Sequence, residues 1–109
     1  MKLTINRFGG ESMTLEEFAE RHDLEMVVTE QRDPKLPQWY AHFKDVEVMN
    51  NGMLEAAFAN GAKIEDAISN YRVMISRKRI VVNAGNSIAG RREIDVPFLK
   101  ESEGERNAF

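Results

Sequence analysis

The sequence predicts an α+β fold: a single domain running β-α-β-β-β-α-β-β, with an antiparallel sheet covered by two helices. Three observations carry this reading. Ile64, Ala67, Ile68, Tyr71 and Ile75 recur at helical spacing, the strongest periodic signal in the chain. Several short runs rich in β-branched and aromatic residues are bounded by Gly, Pro or Asn, as strands are. An Asn-Gly pair at 51–52 lies between two of those runs, the short-range mark of an antiparallel hairpin.

The elements follow in order. Leu3 and Ile5 alternate with polar residues and predict a short first strand, broken by Gly9-Gly10. Thr14 stands three residues before Glu17, a capping box, and a helix is expected over 14–22 with Leu15, Phe18, Ala19 and His22 on one face. "LEMVVTEQ" reads as a strand, and "RDPKLP" as a loop. "QWYAHFKDVEV" reads as a longer strand in which Ala41 and Phe43 take one parity and Val46 and Val48 the other. One extra residue near Asp45 reconciles them, because a bulge switches the face. "MLEAAFA" returns with Leu54, Ala56 and Phe58 expected on one face. After Gly61 comes the second helix, then strands at "RKRIVVNA" and "RREIDVPF", the latter with Ile94, Val96 and Phe98 alternating inward. The domain is expected over 1–99, its central α-β-β-β-α unit over 14–76, and a flexible polar tail over 100–109.

The totals bound the function. A chain of 109 residues is long enough for one core without covalent staples. With no cysteine, disulfides and thiolate metal sites are excluded. The first ten residues lack the continuous apolar segment of a signal peptide, and no apolar run approaches the roughly 20 residues of a membrane helix. Net charge is −3 but uneven: residues 71–100 hold 7 basic and 2 acidic side chains. A uniformly basic nucleic-acid binder is thereby disfavoured, while a local basic patch of Arg72, Arg77, Lys78, Arg79, Arg91 and Arg92 is allowed.

The central unit resembles the double-stranded-RNA-binding-domain architecture. The likeness lies in the α-β-β-β-α order, the Gly61-to-Ala67 step into the last helix, and the loop "RDPKLPQWY". It implies lysines at the start of that helix to meet phosphates, but the matching positions hold Ile64, Glu65 and Ile68. The step "FANGAKIEDAISNY" is also similar to that of HicB-like antitoxin domains, which bind a toxin partner. Over most of the chain, "LEEFAERHDLEMVV", "WYAHFKDVEV", "FANGAKIEDAI" and "RREIDVPFL" resemble a family of small uncharacterised proteins encoded by bacteriophages and prophages. That resemblance implies the cytoplasm of a bacterial host and a role in acting on host machinery, including inhibition of a defence system.

No residue set rises to a catalytic or metal constellation. His22 and His42 are the only histidines, too few convergent ligands for a metal site. The loop "GNSIAGRR" lacks the Gly-Lys-Ser/Thr of a phosphate-binding loop, and Ile88 within it is expected at the surface. Trp39 and Tyr40 are adjacent in a strand, so one points inward and the other is an exposed aromatic available to a partner. The expectation is a non-enzymatic protein without cofactor that contacts a host or phage protein. The contact residues are drawn from Trp39, Tyr40, Ile88 and the basic set. The rival readings are a nucleic-acid module using the same arginines and a homodimer that pairs edge strands.

Overall fold

The computed structural model describes residues 13–85 and 90–101. The strand expected at Leu3 and Ile5 lies outside the described residues, as does Ile88. Within them the fold is α+β, with two helices and mostly antiparallel strands.

Strand β1 (Met13–Thr14) runs straight into helix α1 (Leu15–His22). The capping box forms as the sequence predicts. The Glu17 backbone N–H donates to Thr14 Oγ1 at 3.2 Å, and the Thr14 N–H donates to Glu17 Oε1 at 3.2 Å. The Thr14 N–H and then its hydroxyl, both donating to Glu17 Oε1, hold the Glu17 carboxyl below the usual carboxylate range. Asp23 ends the helix in the left-handed region (φ 55°). Leu15 and Phe18 are buried, whereas His22 is half-buried with its ring 4.6 Å from that of Phe18.

The sheet is organised by one bend. Strand β3 (Trp39–Phe43) pairs with β2 (Met26–Glu30) on one side and with β6 (Ala59–Gly61) on the other. Strand β4 (Val46–Asn50) pairs with β5 (Met53–Glu55) and with β7 (Arg79–Val82). Between β3 and β4 the chain passes through Lys44 and Asp45, the latter at φ 59°. The ladders extend into this joint: Lys44 N donates to the Glu25 carbonyl and Asn83 N to the Asp45 carbonyl, each at 2.8 Å. The predicted long strand is therefore one continuous path shared by two sheets. The parity change falls where the sequence places it, with Ala41 and Phe43 buried before Asp45 and Val46 and Val48 buried after it.

The returning strand differs from expectation. The hairpin turns at Asn51 (φ 51°) and Gly52 (φ 81°), the two positive φ values of a type I′ turn. Residues 56–58 then leave the ladder, Ala56 and Phe58 are exposed, and Ala57, Ala59 and Gly61 take the inward side. The reason is helix α2 (Ile64–Ile75), which crosses directly above β6. A Cβ at Gly61 would stand 2.2 Å from the Ala67 backbone nitrogen, so only small residues fit beneath the helix.

Ala67, Tyr71 and Ile75 bury the face of α2 that the periodicity predicts, while Ile64 at its start is exposed. Tyr71 meets Phe43 edge-on, with ring centroids 5.4 Å apart, and Phe43 lies 6.3 Å from Phe18. Burial of side chains this large contributes roughly 1.5–3 kcal/mol each. The Tyr71 hydroxyl is buried facing the Phe43 backbone without reaching hydrogen-bond geometry, and burial pushes its pKa up.

Strand β8 (Arg92–Asp95) adds to β7, with Ile80 opposite Ile94. Ile94 and Val96 are buried as predicted, but Phe98 is exposed and Leu99 is buried instead, because the alternation shifts past Pro97. Lys100, where the polar tail is expected to begin, lies in a strand. Strand β9 (Leu99–Lys100) pairs in parallel with β1, Met13 opposite Leu99 and Thr14 opposite Lys100.

Candidate functional site

The bend gives the sheet two unlike faces. The inner face receives α2 and the aromatic core. On the outer face of β3 stand Tyr40 and His42, continued by Glu47 of β4 after the joint. These residues line an open cleft of about 530 Å³ together with Asp45, Phe58, Asn83 and several alanines.

Each wall has a local cause. Alternation sends Trp39 inward, where it packs half-buried against the core, and Tyr40 outward. Tyr40 packs against Phe58 with ring centroids 5.2 Å apart and an interplanar angle of 55°. Phe58 faces outward because the small residues on either side of it are needed under α2; it is 52% exposed, so the aromatic pair is open to solvent. His42 Nδ1 lies 2.9 Å from the Phe43 carbonyl. A carbonyl only accepts, so Nδ1 carries a hydrogen in this contact. Asp45 and Glu47 enter no ion pair among the described residues. The cleft thus joins two aromatic rings and the His42 imidazole to two carboxylates, with no lysine or arginine among the described residues that line it.

The predicted basic set does not assemble into one patch. Arg72 belongs to the interior: it is 6% exposed, its Nη1 donates to the Leu99 carbonyl at 2.7 Å, and its Nη2 lies 3.4 Å from Glu101. It cannot serve as a surface contact, because the guanidinium holds β9 against α2. Arg79 and Asp95 form an exposed ion pair at 2.8 Å, whose hydrogen bond raises the arginine pKa and lowers the carboxyl. Lys78 Nζ donates to Asn50 Oδ1 at 2.8 Å. The Arg77 guanidinium lies over the Phe98 ring, 5.4 Å from its centroid. Arg91 donates to the Ala84 carbonyl at 2.9 Å and Asn83 Nδ2 to the Gly90 carbonyl at 3.0 Å. Together these bonds fix the cleft wall at 83–85. Arg92 is opposite Val82, at the far end of the β7–β8 ladder from Arg79. At about 3.3 Å per residue, the two arginines stand roughly 10 Å apart along the strands.

Of the residues that line the cleft, the sequence singles out Tyr40 for contact and passes over Asp45, Glu47 and Phe58. A signal for Phe58 was present. Ala57, Ala59 and Gly61 are three small residues at two-residue spacing, the mark of an element lying close above. No protein-family model, curated protein or solved structure matches the chain.

Proposed function

We propose that the protein acts by protein–protein contact, without catalysis, and that the cleft at the sheet bend is its contact site. The observation that carries this is the pair of half-buried Tyr40 and exposed Phe58 beside the carboxylates of Asp45 and Glu47. Aromatic rings anchor protein interfaces, and a ring with an adjacent carboxylate favours an arginine or lysine from the partner. The partner we propose is a bacterial host or phage protein presenting such a basic segment, consistent with the phage-protein resemblance of the sequence, and the setting is the host cytoplasm. Inhibition of a host defence component is one role of this kind.

Nucleic-acid binding is less well supported. Arg72, Arg77, Arg79 and Arg91 are engaged with protein groups, and Arg92 stands at the opposite end of its ladder from Arg79. The exposed start of α2 presents Ile64, Glu65 and Asp66, and the two acids repel phosphate.

The test compares capture of partners from bacterial lysate by the wild-type protein and by Tyr40→Ala and Asp45→Asn, with nuclease, at two salt concentrations. The expected result is a stoichiometric protein that survives nuclease and is lost with either substitution. Recovery of nucleic acid alone, lost at high salt and unaffected by the cleft substitutions, would overturn the proposal.

A further inference from the structure

Among the described residues the three- and four-stranded sheets have four edges, and three of them carry a protective device. Strand β5 is three residues long and ends at the exposed Glu55. Strand β6 is equally short, and the Asn60 carbonyl on its edge accepts from Asn70 Nδ2 at 2.8 Å. On β8 the alternate residues Glu93 and Asp95 are exposed and charged, and Pro97 follows. Charge, brevity and proline are the usual means of blocking an edge. Strand β2 is neither short nor interrupted by proline, and its single charge, Glu30, stands at its last position. It is five residues, Met-Val-Val-Thr-Glu, with no lysine, proline or bulge, and among the described residues it pairs with β3 alone.

The register shows which backbone groups face outward. Lys44 N bonds the Glu25 carbonyl and Gln31 N bonds the Gln38 carbonyl. Hydrogen-bonded pairs alternate along an antiparallel ladder, so Val27 and Thr29 direct their N–H and C=O toward β3. Met26, Val28 and Glu30 direct theirs to the open edge.

We infer that β2 is a self-association edge, pairing antiparallel with β2 of a second copy of this chain about a two-fold axis at Val28. This register brings the outward groups of both copies together: Val28 opposite Val28, and Met26 opposite Glu30. The non-bonded partners are Val27 opposite Thr29, two β-branched side chains that pack well across strands. No like charges are opposed, since Glu30 meets Met26 and Glu25 meets Gln31. An isologous interface must complement itself in this way, and the run does so. The pairing joins β6, β3 and β2 of both copies into one six-stranded sheet whose outer face carries a Tyr40–Phe58 cleft on either side of the axis.

Amide hydrogen exchange, read alongside sedimentation from about 10 µM to about 1 mM, tests this on the full chain across the range where small interfaces dissociate. The expected result is a monomer–dimer equilibrium with a selective change. The amides of Met26, Val28 and Glu30 gain protection with concentration, while those of Val27 and Thr29 are protected throughout. The substitution Met26→Glu sets a new carboxylate against Glu30 of the second copy and is expected to weaken dimerisation at least about tenfold. Adding Glu30→Lys to that variant restores the dimer, which a merely misfolded β2 would not do. A monomer at every concentration overturns the inference. So does protection of all five amides that is independent of concentration, or a dimer indifferent to both substitutions.

Discussion

Gly61→Ala is the sharpest probe of how the outer face comes to be formed. The added methyl would meet the Ala67 nitrogen at 2.2 Å and the Asp66 carbonyl carbon at 2.7 Å, where ordinary contacts begin near 3.4 Å. The first turn of α2 must therefore retreat by about 1 Å. Backbone cannot rotate out of the way as a side chain can, and Ala67, Tyr71 and Ile75 transmit the shift into the core. Overpacking costs about 1–3 kcal/mol, and a backbone neighbour places this case at about 3 kcal/mol. For a domain of this size that lowers the melting temperature by about 12–24 °C. Gly52→Ala is the contrast. Nothing lies within 4 Å of its Cβ position, and only its φ of 81° is unfavourable, so the loss is about 1 kcal/mol. Thermal and urea unfolding followed by circular dichroism read both. A Gly61→Ala protein as stable as wild type, or no less stable than Gly52→Ala, would refute the argument that α2 dictates small residues at 57, 59 and 61.

Arg72→Leu leaves the buried Leu99 carbonyl without its donor and is expected to cost about 2–3 kcal/mol, with faster amide exchange in β1 and β9 as the diagnostic. Asp45→Val places a β-branched residue at φ 59° and is expected to destabilise by about 1–2 kcal/mol, whereas Asp45→Gly is neutral or stabilising; urea midpoints decide between them. Burial, then the charges of Arg92 and Arg21, lowers the His22 pKa below its usual 6.5. The unfolded chain then takes up the proton at higher pH than the folded one. Stability is complete above pH 6.5 and declines as pH falls through that value toward the folded-state pKa. His22→Gln is expected to flatten that part of the melting-temperature profile, and an unchanged profile would remove His22 as its source.

Much of the fold was legible because local rules agreed with tertiary demand. The capping box at Thr14 and Glu17, the helix on Ala67, Tyr71 and Ile75, the Asn51-Gly52 turn and the parity change at Asp45 each have a short-range cause. What escaped depends on neighbours distant in sequence. Phe58 reads as an inward strand residue until α2 is laid over β6. Arg72 reads as surface charge until Leu99 supplies a buried carbonyl 27 positions away. The cleft escaped for the same reason: Tyr40, Glu47, Phe58 and Asn83 meet only because one strand passes between two sheets. A charge run showed where arginines are frequent, but their separation along β7 and β8 is a property of register.

The parallel pairing of β1 with β9 has a topological consequence. Met13 and Leu99 lie side by side, at the roughly 4.8 Å spacing of neighbouring strands. Both ends of the described chain thus reach one corner of the molecule, and the path between them is nearly a closed ring. Connecting the ends by a short linker and opening the ring at Asn51-Gly52, an exposed turn, yields a circular permutant that keeps every strand pair except the hairpin's own covalent closure. The order in which the elements are synthesised is then separable from the architecture they build.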